Sequence, residues 1–134
     1  MIVVDTSVWI DLLRGRATPA VATCVSLIER GDPVALTDIV YAELLQGVRD
    51  EHQAAVLDER LRAFPILRLE ALGDHALAAR LCRTARRSGV TIRKTLDCLI
   101  AAPCVRTGAP LLHADADFDR LASCTELRIH PIGA

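Results

Sequence analysis

The sequence predicts an α/β fold, a three-layer α/β/α sandwich with a central, mainly parallel sheet. Short apolar runs recur at Met1–Val4, Pro33–Leu36, Pro65–Leu69, Pro110–His113 and Leu127–Pro131. Between them lie stretches whose apolar residues fall at helical spacing, and that alternation is what helical crossovers between parallel strands produce. Two of the runs are followed closely by aspartates, Asp5 at once and then Asp115, Asp117 and Asp119. Ligands of an open α/β sheet bind just beyond the carboxyl ends of its strands, so acids placed there face a crevice.

Met1–Val4 is continuously apolar and β-branched, which suits a central strand. Asp5, Thr6 and Ser7 can cap a helix carrying Val8, Trp9, Leu12 and Leu13 to about Gly15. Thr18 and Pro19 open a second helix, with Val21, Val25 and Ile28 inward and Gly31 as its stop. Pro33–Leu36 is the second strand, and Thr37 and Asp38 cap a helix from Ile39 to about Val48. Asp50–Phe64 reads as a charged amphipathic helix with Ala54, Leu57, Leu61 and Phe64 inward, and Pro65–Leu69 as an edge strand. Gly73–Ser88 and Thr95–Thr107 are helical. Pro103 inside the latter predicts a kink or an early break, because proline removes an N–H and crowds the carbonyl one turn back. A strand at Pro110–His113, a helix over Phe118–Cys124 and a strand over Leu127–Pro131 complete a single domain, residues 1–134, with no repeat or linker.

Hydrophobic residues make up 51% of the chain and aromatics only 3%, so the core is built from Leu, Val, Ile and Ala. The five cysteines form no C-x-x-C pair and read as small buried hydrophobes of a reducing cytoplasm. No apolar run approaches the roughly 18 residues of a membrane span, and no signal peptide is evident, so a cytoplasmic protein with no membrane partner is expected.

Position singles out a few of the seventeen acids. Glu43 has Ile39 and Val40 one turn back and Gly47 one turn on, which puts it on an apolar or tightly packed face; a boundary glutamate with its head in water fits the same spacing. Asp97 starts the apolar stretch Cys98–Ala102, although an acid favoured by the positive end of a helix would also sit there. Asp5 and Asp115 stand after strands, and Glu43 and Asp97 on helices able to flank them. Unpaired carboxylates sharing one crevice repel by roughly 4 kcal/mol per pair at about 4 Å and an effective dielectric near 20. Such a cluster persists with raised pKa values or a cation. All-oxygen ligands select a hard ion, Mg²⁺ or Mn²⁺, and point to phosphoester hydrolysis.

Charge is segregated. The segment from Arg80 to Lys94 holds six basic residues and no acid, while the rest of the chain carries 10 basic and 17 acidic side chains. A basic stretch beside an acidic metal site suits a polyanionic substrate and is the layout of a nuclease, with Arg86, Arg87, Arg93 and Lys94 as candidate phosphate contacts; a solvated helix face is the plainer reading. No aromatics interleave with the basic residues, so base stacking is not supported there.

Four motifs resemble those of the PIN-domain ribonucleases: Ile2–Trp9, Tyr41–Gly47, Asp97–Ala102 and Leu112–Phe118. Together they span essentially the whole chain and are most similar to the small VapC-type toxins of bacterial toxin–antitoxin pairs. The resemblance implies that Asp5, Glu43, Asp97 and Asp115 form a Mg²⁺ site where Mn²⁺ can substitute. Asp117 would stand beside it, and Ser7 would orient Asp5. It also implies endonucleolytic RNA cleavage, a homodimer, and a cognate VapB-like antitoxin that inhibits the enzyme in a hetero-oligomeric complex. Asp119 is expected on the surface or as a helix cap.

Other classes fit less well. A haloacid-dehalogenase-type phosphatase needs a second aspartate two residues after the first, where this chain has Ser7. A response-regulator receiver needs a lysine after a late strand, but the single lysine, Lys94, precedes a helix. A catalytically inactive binding domain of the same fold has no need of all four acids.

Overall fold

The computed structural model describes residues 1–133. In chain order the elements are β1 (Ile2–Val4), α1 (Thr6–Leu13), α2 (Pro19–Glu29), β2 (Val34–Thr37), α3 (Asp38–Gln46), α4 (Glu51–Leu61), β3 (Ile66–Leu67), α5 (Ala71–Arg87), α6 (Thr95–Thr107), β4 (Leu111–Leu112) and α7 (Ala116–Cys124). The four strands pair in the order β3-β2-β1-β4, and every pairing is parallel. Helices flank this sheet, the expected α/β architecture. The chain moves outward from β1 through β2 to β3, then crosses back to place β4 on the other side of β1. The order therefore reverses between β1 and β4, where a doubly wound sheet opens its crevice.

The core matches the aliphatic composition. Val3, Val4, Leu36, Leu81, Leu111, Leu112 and Leu121 are fully buried around Phe118. Trp9 belongs to this interior: its indole Nε1 donates to Val4 O at 2.9 Å and its ring meets Phe64 edge-on at 5.1 Å. Leu13, one turn further along α1, is exposed. All five cysteines are free thiols, and burial pushes Cys24 up to about 11 and Cys104 to about 12.

Two expectations are corrected. The early break expected as one outcome of Pro103 does not occur: the helix runs on to Thr107, the end its apolar pattern predicts. Pro103 is buried together with Ala101, Ala102 and Cys104, and packing of α6 against α5 and α3 outweighs a local cost of about 3 kcal/mol. The strand over Leu127–Pro131 shrinks to one parallel bridge between Leu111 and Ile129. Leu111 N donates to Arg128 O and His130 N to Leu111 O, both at 2.9 Å. A two-residue β4 offers little edge to extend, and Pro131 has no N–H to continue the ladder. Among the described residues no helix is long and apolar enough to cross a membrane.

Candidate metal centre

Asp5 continues the β1–β4 ladder by one step, its N–H donating to Leu112 O at 2.9 Å, before the chain turns into α1. Its carboxylate caps that helix: Oδ2 accepts from Ser7 N at 3.1 Å and from Ser7 Oγ at 2.7 Å. Ser7 Oγ also accepts from Ala114 N at 3.0 Å. One hydroxyl thus ties the end of β1 to the loop after β4. Asp5 is buried, and burial raises its carboxyl pKa; the Ser7 bonds oppose the rise and the nearby Glu43 charge adds to it.

The β4 side is built in the same way. Asp115 caps α7 through Oδ1, which accepts from Asp117 N at 3.0 Å. The Asp115 N–H donates to His113 Nδ1 at 3.0 Å, and His113 Nε2 stands 2.9 Å from Asp119 Oδ1. With Nδ1 accepting, a neutral His113 carries its proton on Nε2 and donates to Asp119. His113 is buried against Phe118. Asp119 is exposed, as expected, and braces His113; the helix cap is Asp115.

Asp97 lies in the first turn of α6, 7% exposed. Its Oδ2 is buried with no hydrogen-bond partner among the described residues. Burial, then the charges of Asp5 and Asp115, push its carboxyl up to about 7, against the pull of Lys94. Glu43 is half-buried on α3, and its Oε1 accepts from Thr6 Oγ1 at 2.7 Å.

Asp97, Asp115 and Asp117 each bring a carboxylate oxygen to within 4.8 Å of the other two. Asp5 adjoins this trio through Asp97, and Glu43 adjoins Asp5. The donor set fits a hard divalent ion: oxygens only, closely spaced, with one buried oxygen lacking a donor among the described residues. Capping occupies Oδ2 of Asp5 and Oδ1 of Asp115, which leaves the second oxygen of each for another ligand.

The basic candidates divide. Arg93 Nε donates to Asp117 Oδ2 at 3.2 Å, and Lys94 lies close enough to Asp97 to lower its pKa. Arg86 and Arg87 sit in the last turn of α5; Arg86 lines a neighbouring hollow, and Arg87 turns back to Thr84 Oγ1 at 3.4 Å. Sequence reasoning missed Thr6 and Arg120. Arg120 Nη1 bonds Asp117 Oδ1, and its position three residues after Asp117 on a helix was the available signal.

A family model described as "PIN domain" matches residues 2–123. The chain belongs to the PIN-domain family. It is 36% identical over 129 residues to VapC ribonuclease Mb1587 of Mycobacterium bovis and to Ribonuclease VapC11 of Mycobacterium tuberculosis, covering 96% of each chain in both cases. The solved structure of FitAcB from Neisseria gonorrhoeae superposes with a TM-score of 0.72 at 26% identity, over 98% of this chain and 97% of that one. VapBC-1 from nontypeable Haemophilus influenzae superposes with a TM-score of 0.75 over the full length of both chains at 24% identity, a likeness of fold. The four motifs of this PIN domain that carry the family resemblance thus lie on β1–α1, α3, α6 and β4–α7.

Proposed function

We propose that this PIN domain is a divalent-metal-dependent endoribonuclease and the toxin of a toxin–antitoxin pair. Asp5, Glu43, Asp97 and Asp115 hold the ion, Mg²⁺ with Mn²⁺ able to substitute, and Asp117 stands at its periphery. The observation that carries the reading is the partnerless, buried Oδ2 of Asp97 inside a carboxylate cluster, in a chain similar to proteins named VapC ribonucleases. A divalent ion bound there supplies charge neutralisation and Lewis acidity to phosphodiester hydrolysis.

The side chains supply the rest. Ser7 fixes the Asp5 carboxylate in one orientation, and His113 fixes the backbone at Asp115. Thr6 occupies Glu43 Oε1, leaving Oε2 to orient the attacking water and accept its proton. Lys94 and the arginines at the rim draw in the phosphate backbone.

The inhibitor is a VapB-like antitoxin. A hollow of about 480 Å³ is lined by the apolar Leu13, Val48, Val56 and Leu57 and by the polar His52, Gln53 and Arg60, and a smaller one beside it includes Glu43. A segment with an apolar face and a basic side chain fits both, laying the first in the hollow and the second toward the carboxylates. The free toxin acts as a cytoplasmic homodimer.

The test is RNA cleavage by the purified protein with Mg²⁺ or Mn²⁺, with excess EDTA, and with Asp97→Asn. Ion-dependent cleavage lost in the variant is expected. Full activity in EDTA or in Asp97→Asn overturns the metal site, and hydrolysis of small phosphomonoesters without RNA cleavage overturns the substrate.

A further inference from the structure

We propose that Arg93 and Arg120 form a subsite for a backbone phosphate of single-stranded RNA, placed by Asp117 at the edge of the carboxylate cluster. The inference rests on the nuclease reading and names the path that the substrate strand takes. The two guanidiniums arrive from different elements, Arg93 from the loop between α5 and α6 and Arg120 from α7. They divide one buried carboxylate between them: Arg93 Nε bonds Asp117 Oδ2 at 3.2 Å, and Arg120 Nη1 bonds Oδ1. Asp117 is 2% exposed, whereas the arginine side chains are 71% and 51% exposed. Each guanidinium has five N–H donors, so most of them face outward. The buried Asp117 carboxylate organises both guanidiniums, and each planar fork keeps N–H donors free beyond that bond. Two parallel N–H donors of such a fork match two non-bridging oxygens of a tetrahedral phosphate.

The surroundings favour a strand over a compact anion. The arginine pair borders an open hollow of about 450 Å³ together with Gly89, Val90 and Thr91. A second hollow, about 470 Å³, also includes Val90 and Thr91 and is bordered by Arg83 and Arg86. The shared residues make one path from the basic face of α5 to the carboxylates. The segment from Arg80 to Lys94 that forms one wall has no acid. Neither hollow is lined by an aromatic side chain, so the path reads phosphates and not stacked bases. Arg120, which lies outside that basic segment, connects the path to the site of cleavage.

The experiment measures binding of a single-stranded RNA dodecamer in EDTA, where cleavage does not interfere, across a salt series. Wild type, Arg93→Gln, Arg120→Gln and the double variant are compared with Arg30→Gln, a control at the opposite end of the sheet, where α2 ends before β2 begins. Each site variant is expected to weaken binding several-fold, and the double variant to flatten the slope of log K against log salt by about 0.7, the value for the one single-strand phosphate contact that the pair makes, with each single variant at a fraction of that. Arg30→Gln should change neither. Arg93→Lys and Arg120→Lys retain the charge and restore the slope, which separates phosphate contact from loss of fold; thermal melts check each variant. Wild-type binding that persists with an unchanged slope in the double variant overturns the subsite while leaving the nuclease reading intact. Loss of antitoxin binding with RNA binding unchanged overturns it in favour of an acidic protein segment. A wild-type protein that neither binds nor cleaves RNA overturns both.

Discussion

Ser7 holds Asp5 by two bonds to a single oxygen, its hydroxyl at 2.7 Å and its backbone N–H at 3.1 Å from Oδ2. Because the same hydroxyl accepts from Ala114 N, it also locks the β1 end of the site to the β4 end. Ser7→Ala keeps the backbone bond and loses the other two. We expect a stability loss of about 1 kcal/mol in denaturant titrations. Mn²⁺ affinity or cleavage should fall by about 10- to 100-fold, as for other residues that orient a ligand. Unchanged affinity and activity would show that Asp5 needs no support.

Asp97 should make stability depend on pH in the direction opposite to an ion-paired acid. Its folded-state pKa is about 7 against an ordinary 3.8, so between these values the folded chain holds a proton that the unfolded chain has lost. Stability without metal therefore falls as pH rises from about 4 to 7, by roughly 1–4 kcal/mol. Asp97→Asn should raise the melting temperature by several degrees at pH 8 and by little at pH 4. Equal shifts at both pH values would argue against the cluster's repulsion as the cause.

Divalent ions should reverse that penalty. Mn²⁺ or Mg²⁺ bound to the folded chain alone raises the melting temperature with the logarithm of its concentration, and EDTA removes the gain. The effect should be large at pH 8, small at pH 5, and lost in Asp97→Asn. Calorimetric titration reports the same site through the proton released from Asp97.

Glu43 and Thr6 can be separated. Glu43→Gln keeps the volume and the bond to Thr6 but loses the charge, so kcat should fall by at least 100-fold with the fold unchanged. Thr6→Val frees Glu43 without removing it, and about a 10-fold loss is expected. If Thr6→Val is as damaging as Glu43→Gln, the hydroxyl has a direct part in the chemistry.

Away from the site, Asp74 and Arg106 form a structural pair. Burial pushes the Asp74 carboxyl up, yet the bonds from Arg106 Nε, at 3.0 and 3.1 Å, and from Glu70 N outweigh it and hold its pKa low. Arg106→Met should destabilise the protein by about 3 kcal/mol in urea titrations, because a buried carboxylate loses its partner. Metal affinity per folded molecule should be unchanged.

Alternation of apolar runs and helical periodicity was enough to place the strands, and their ends located Asp5 and Asp115 without coordinates. Local pattern failed where the outcome hung on packing. Pro103 reads as a helix breaker until the burial of its whole turn against α5 and α3 is counted. Ile129 lies in a strand-like run whose pairing was limited by a neighbour only two residues long.

The same division holds at the site. That Asp5 and Asp115 stand just beyond strands was legible from residue type and position, because short-range rules govern strand ends. Which groups touch the acids of the site was not. Thr6 and Glu43 are 37 residues apart, Arg93 and Asp117 24, and Ser7 and Ala114 107. Contacts at such separations depend on how the sheet is ordered, and parallel strands joined by crossovers leave no local trace of it. The partnerless oxygen of Asp97 belongs to this class: the acid is plain in the chain, but only the packed fold buries its Oδ2 away from every donor among the described residues.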